Sequence, residues 1–165
     1  MSKPTIAAVN GSSVGLGCDL ALACDFIIAA KSAKFAMSFI NRGLVSDGGG
    51  MYFLPRRVGL SKAKELIFTG REVQSAEALE IGLADRVAED QDLLDDARQW
   101  AQELGAGSAT AIALAKPILD RTFETSEEQL FALGRQAQAI CYTSAEHRNS
   151  VQAFMNKKSK VSSAI

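Results

Sequence analysis

The stretch Thr5-Ile-Ala-Ala-Val-Asn-Gly-Ser-Ser-Val-Gly-Leu-Gly-Cys-Asp19, followed by Leu20-Ala-Leu-Ala-Cys24 and Asp25-Phe-Ile-Ile-Ala-Ala30, decides how the chain is to be read. Thr5 to Asn10 and Phe26 to Ala30 are short β-rich runs bounded by turn residues, too short for isolated helices, and they fit buried strands. Between them, Gly11 to Asp19 reads as a glycine-rich loop opening a short helix near Gly17, with Leu20 to Cys24 as its apolar continuation. Strand, glycine loop, helix and strand in that order predict an α/β layer. The run from Thr5 looks more like a middle strand than the beginning of a fold.

Downstream, Lys34-Phe35-Ala36 is a further short strand, and Gly43 to Gly50 is a second loop, ending in three consecutive glycines. Ser61 is placed to cap a helix running to Thr69, with Gly70 where a helix end wants a left-handed residue. Ser75 is placed to cap a shorter helix that stops at Gly82. Asp92 to Leu104 repeats apolar residues at helical spacing, from Leu93 and Leu94 through Ala97, Trp100 and Ala101 to Leu104. Ser108 opens another helix, in which Pro117 predicts a kink or break. Thr125 with Glu128, or Ser126 with Gln129, has the spacing of a capping box for a long helix to about Tyr142. Ser144 caps the last helix, whose Val151, Phe154 and Met155 form an apolar stripe before Lys157, Lys158 and Lys160.

The 165 residues, 47% of them hydrophobic and 22% charged, have the composition of a globular domain able to bury a core. Eighteen basic against nineteen acidic side chains leave a net charge of −1, which disfavours nucleic acid or an anionic membrane as partner. Three cysteines, Cys18, Cys24 and Cys141, are an odd number, and no signal-like segment or apolar run of membrane-spanning length is present. The expectation is a soluble, reduced, cytoplasmic protein.

The glycines of Gly11 to Gly17 match neither the dinucleotide fingerprint nor the phosphate loop. Such a segment can aim backbone N–H groups at a developing negative charge, or can simply make a tight strand-to-helix connection, and the residues alone leave both readings open. Asp19 falls in the first turn of the helix, where a carboxylate can cap, pair or catalyse. Asp47 lies within Val45-Ser-Asp-Gly-Gly-Gly-Met51, where an acid among glycines can approach a ligand closely or can merely form a turn. His147 sits in a polar stretch, no serine lies in a G-x-S-x-G elbow, and the cysteines lack metal-ligand spacing, so no triad and no metal site are expected.

Ile6-Ala-Ala-Val-Asn-Gly11, Gly15-Leu-Gly17, Leu20-Ala-Leu-Ala-Cys-Asp25, Ala33-Lys-Phe35, Gly43-Leu-Val-Ser-Asp-Gly-Gly-Gly50, Leu54-Pro-Arg-Arg-Val-Gly59, Leu66-Ile-Phe-Thr-Gly70 and Ala76-Glu-Ala-Leu-Glu-Ile-Gly-Leu83, taken in order, strongly resemble the crotonase (enoyl-CoA hydratase/isomerase) family. The resemblance implies an α/β crotonase-like ββα spiral over residues 1–104 and a helical region over 105–165 for trimerisation and ligand covering. It further implies acyl-CoA thioester substrates, no cofactor besides the coenzyme A that belongs to the substrate, and homotrimers or hexamers. Family chains ordinarily begin upstream of this point, with a segment holding the first oxyanion amide, so this chain is expected to be the C-terminal portion of such a protein.

By the same resemblance Leu16, between Gly15 and Gly17, offers the second oxyanion N–H. The two glutamates of family hydratases fall on Asp19 and Phe39, which makes paired-carboxylate hydration doubtful. Asp47 matches the acid of members that move a double bond, and Gly15, Gly17, Phe39 and Gly48 would line the substrate. Enoyl-CoA isomerisation with Asp47 as acid/base is therefore the expected chemistry, including the variant on aryl or cyclic acyl groups. Hydration through Asp19 and a catalytically inactive binding or assembly module are the alternatives.

Overall fold

The structure is a computed structural model that describes the backbone of residues 1–162 and the side chains of residues 1–156. The chain divides into two compact units. One runs Thr5–Gln102, and the other gathers Met1–Pro4 with the residues from Glu103 onward.

The first unit is built by a repeated step, strand to one sheet, strand to the other, then helix. Strand β1 (Ile6–Val9) lies beside β3 (Phe26–Ala30), in parallel, with Ile6 opposite Phe26 and Val9 opposite Ala29. Strand β2 (Ser12–Val14) lies beside β4 (Lys34–Ala36), again in parallel, with Ser13 opposite Phe35. Helix α1 (Leu16–Leu22) makes the crossover between the two steps. The sheets close with β5 (Glu72–Gln74), antiparallel to β4, and β6 (Arg86–Ala88), parallel to β3. The result is two three-stranded sheets, ordered β1-β3-β6 and β2-β4-β5, wound as the expected ββα spiral.

The parallel strand β3 is apolar throughout and Ile27 to Ala30 are fully buried, as a strand covered on both faces must be. Helix α1 turns Cys18, Ala21 and Leu22 inward at the i, i+3, i+4 spacing of a buried face. Leu54, Leu66, Phe35, Val73 and Leu83 complete the core. Helix α5 (Leu93–Gly105) begins in this unit and buries Leu93 and Trp100, whose ring lies 5.0 Å from Phe26 and beneath the Arg86 guanidinium. Leu94 and Ala101, expected on the same face, are exposed, because the buried stripe is narrower than the run of apolar residues.

Several local expectations need correction. The segment read as one continuous glycine loop contains β2, and α1 begins at Leu16, one residue before the expected start. Gly50 opens a helix that was not expected, α2 (Gly50–Val58), which continues through Pro55. Pro55, the sixth of its nine residues, forgoes one backbone hydrogen bond, and the Arg56 guanidinium donates to the Tyr52 carbonyl at 2.9 Å nearby. Ser61 does not cap α3 (Leu60–Thr69); Gly59, at φ 77°, makes the entry. Gly70 ends α3 in the left-handed region as expected. Ser75 is the first residue of α4 (Ser75–Glu80) and not its cap, and its hydroxyl donates to the Lys31 carbonyl at 2.7 Å.

In the second unit, α6 (Ala109–Leu119) is capped by Ser108, which accepts from the Ala111 amide, and it runs through Pro117 to end two residues later. Ser126, not Thr125, caps α7 (Glu127–Thr143), and Ser144 accepts from the His147 amide at the start of α8 (Ala145–Ser162). Val151, Phe154 and Met155 of α8 are exposed. The lysine cluster Lys157, Lys158 and Lys160 lies outside the residues whose side chains are described.

Candidate active site

The site gathers where β2 turns into α1. Gly15 makes that turn at φ 56°, in the left-handed region open to glycine, and its N–H donates to the Ala36 carbonyl at 2.9 Å, tying the turn to the end of β4. Its carbonyl accepts from the amides of Cys18 and Asp19, so the first turn of α1 is wound tightly. Leu16 is the first helical residue, and its N–H is one of the amides that a helix leaves without an intrahelical acceptor. Leu16 is 55% exposed and Gly17 is exposed, so this corner of the turn faces solvent.

Phe39, half-buried, lies in the 3-10 helix Ser38–Arg42 after β4, with its ring 3.8 Å from where a Cβ on Gly15 would stand. The glycine loop arrives from the other side. A Cβ on Gly48 would stand 2.7 Å from Leu16 Cδ1 and 2.7 Å from Asp19 Oδ2, so only a bare backbone fits between them. The fold thus brings Gly15 to Phe39, and Gly48 to both Leu16 and Asp19, from segments that are some thirty residues apart in the chain.

The two carboxylates have opposite environments. Asp47 is exposed on the loop. Asp19 is fully buried, and its Oδ2 accepts from the Ser46 hydroxyl at 2.8 Å and from the Gly48 amide at 3.1 Å. The Ser46 oxygen accepts in turn from the Gly50 amide at 3.0 Å, at the first residue of α2. Asp19 Oδ1 has no hydrogen-bond partner among the described residues. A Cβ on Gly50 would collide with this Oδ1, with Met37 and with Ser46. Ser46, Met37 and Gly50 were not anticipated as part of the site; the only trace in the sequence is a serine directly before Asp47 in a loop of glycines.

Burial, and secondarily the Asp19 charge beside it, pushes the Cys18 thiol up to about 12, so Cys18 is a neutral core residue. His147 belongs to the second unit, where its ring meets Tyr142 edge-on at 5.2 Å. No group of three metal-ligating side chains gathers among the described residues, and none of their helices is long and apolar enough to cross a membrane.

The model of the enoyl-CoA hydratase/isomerase family matches residues 1–162. Among curated proteins, the chain is 33% identical over 158 residues to the short-chain-enoyl-CoA hydratase of Clostridium acetobutylicum, covering 96% of this chain and 60% of that one. It is 36% identical over 159 residues to the 1,2-epoxyphenylacetyl-CoA isomerase of Escherichia coli, covering 96% and 61%. Among solved structures, an enoyl-CoA hydratase/isomerase from Cupriavidus metallidurans superposes with a TM-score of 0.89 at 38% identity, over 94% of this chain and 59% of that one. The chain spans about three fifths of the length of these relatives.

Proposed function

The protein belongs to the enoyl-CoA hydratase/isomerase family, and from that premise we propose that it moves a carbon–carbon double bond within an acyl-CoA thioester, with Asp47 as the acid and base. One observation supports this reading: of the two carboxylates, Asp47 is exposed on the loop, whereas Asp19 is sealed in and already hydrogen-bonded to the loop. Paired-carboxylate addition of water needs two accessible acids. Here one is buried, and the position resembling the other is held by the ring of Phe39, an apolar group with nothing to orient water.

The chemistry needs a single carboxylate. Asp47 takes the proton from the carbon α to the thioester carbonyl, and the C–H electron pair passes into an enolate conjugated with the β,γ double bond. The same carboxyl returns the proton at the γ carbon, leaving the double bond at α,β, with no atom gained or lost. In this reading the Leu16 N–H, at the first residue of α1, receives the enolate oxygen, a contribution typically worth about 10²–10³ in rate. Gly15, Gly17, Phe39 and Gly48 would form the wall along which the acyl chain lies. Assembly into homotrimers or hexamers belongs to the same proposal, supported by the exposed Phe131, Ile140 and Tyr142 of α7 and Phe154 of α8.

Incubation of the chain with a 3-enoyl-CoA and, separately, a 2-enoyl-CoA tests the reading. Double-bond migration is expected in the first, lost in Asp47→Asn, with no water added to the second. Hydration that survives Asp47→Asn and is lost in Asp19→Asn would make the protein a hydratase. Turnover of neither thioester would favour the non-catalytic module.

A further inference from the structure

We infer that Asp19 is a positioning residue, whose buried carboxylate clamps the loop on both sides of Asp47 and so fixes where that acid stands. The inference rests on the isomerase reading for its catalytic consequence, but the clamp itself is read from geometry. A carboxylate in the first turn of a helix ordinarily satisfies its own helix's amides or faces water. Asp19 does neither. Its bonds run from α1 to a loop 27 and 29 residues further along, to the Ser46 hydroxyl and the Gly48 amide, the residues directly before and after Asp47. Ser46 extends the tie by accepting from the Gly50 amide, which anchors the loop to the start of α2.

The loop needs such a tie. Three consecutive glycines are the most freely rotating backbone a chain can have, and an acid attached to them would be spread over many positions. Full burial of a carboxylate with one oxygen unpartnered costs stability, so Asp19 is an expensive choice for a residue that merely fills space. The bareness of Gly48 and Gly50 completes the device, because a Cβ at either position would strike the Asp19 carboxylate. A misplacement of the reacting group by about 1 Å is enough to cost on the order of 10²-fold in rate.

Positioning needs a hydrogen-bond acceptor at Oδ2; acid/base chemistry needs a carboxyl group. Asp19→Asn keeps the acceptor and Asp19→Ala removes it, while Ser46→Ala cuts half of the clamp and leaves Asp19 in place. The measurements are kcat and KM for 3-enoyl-CoA isomerisation by the full chain, and amide hydrogen exchange over residues 44–52. Asp19→Asn is expected to stay within about threefold of the wild type in kcat, with the loop still protected and the pH profile unchanged. Asp19→Ala and Ser46→Ala are expected to lower kcat by about 10- to 100-fold with little change in KM, and to speed exchange of the loop amides at least about tenfold. Asp19→Asn as inactive as Asp47→Asn would overturn the inference and make Asp19 an acid or base in its own right. Loop exchange unchanged in Ser46→Ala would overturn the clamp. If the wild type isomerises nothing, the isomerase reading fails alone, and the exchange measurement still decides the clamp.

Discussion

At the residue scale, glycines that look alike in the sequence have opposite tolerances. Gly50 is held bare by Asp19, Met37 and Ser46, and Gly50→Ala is expected to destabilise the fold by about 3 kcal/mol through overpacking. Gly17 meets nothing within 4 Å at its Cβ position and sits within α1, so Gly17→Ala is expected to be neutral or to stabilise by about 0.5–1 kcal/mol. The shift in urea midpoint between the two variants checks both. Cys18 supplies a pH test. Its thiol is held neutral to about 12 in the fold, against an ordinary value of 9.0, so above pH 9 the unfolded chain loses that proton and the native chain keeps it. Stability is therefore expected to fall as pH rises from about 9 towards 12, and Cys18→Ser is expected to flatten that slope in denaturation curves. At neutral pH, iodoacetamide is expected to label the half-buried Cys24 and Cys141 and to reach Cys18 only on unfolding.

Residues of this kind are half legible in a sequence. Asp47 stands out because an acid among glycines is a local pattern. The bond from Ser46 to Asp19 spans 27 residues and follows only from the crossover geometry that places α1 beside the loop. Chemistry that depends on one residue could be read; chemistry that depends on two distant ones could not.

At the scale of elements the same division holds. The caps at Ser108, Ser126 and Ser144 were legible because a cap depends on a hydroxyl and an amide three residues later. Ser61 and Ser75 carry the same local signal but lose to competitors, a left-handed glycine in one case and a carbonyl from a distant turn in the other. Ser126→Ala is accordingly expected to cost about 1 kcal/mol, and Ser61→Ala within about 0.5 kcal/mol of nothing, in thermal unfolding. Strand β2 was missed because Ser-Ser-Val has neither alternation nor length, and it exists because β4 offers it a parallel edge. Helix α2 was missed because it opens on the last of three glycines that read as loop and contains Pro55, the sixth of its nine residues, which forgoes one backbone bond within the helix.

At the scale of the whole molecule, the β-rich run that begins the chain is β1, paired in parallel with β3 within the first unit. Arg57 shows how the spiral is fastened: from α2 it donates to the carbonyls of Cys24, Asp25 and Leu83 and to the Asp85 carboxylate, which also receives the Ile27 amide. Arg57→Met is expected to cost about 2–4 kcal/mol, since it strands a carboxylate and several carbonyls at once, and urea unfolding of the full chain measures it. That frame carries the turn at Gly15 and the exposed Asp47, the two features on which the proposed removal of a proton α to a thioester rests. The most direct test is incorporation of solvent deuterium at the α carbon of a 3-enoyl-CoA. The account predicts incorporation by the wild-type chain and a loss of about 10²- to 10⁴-fold in Asp47→Asn; equal incorporation by the two proteins would contradict it.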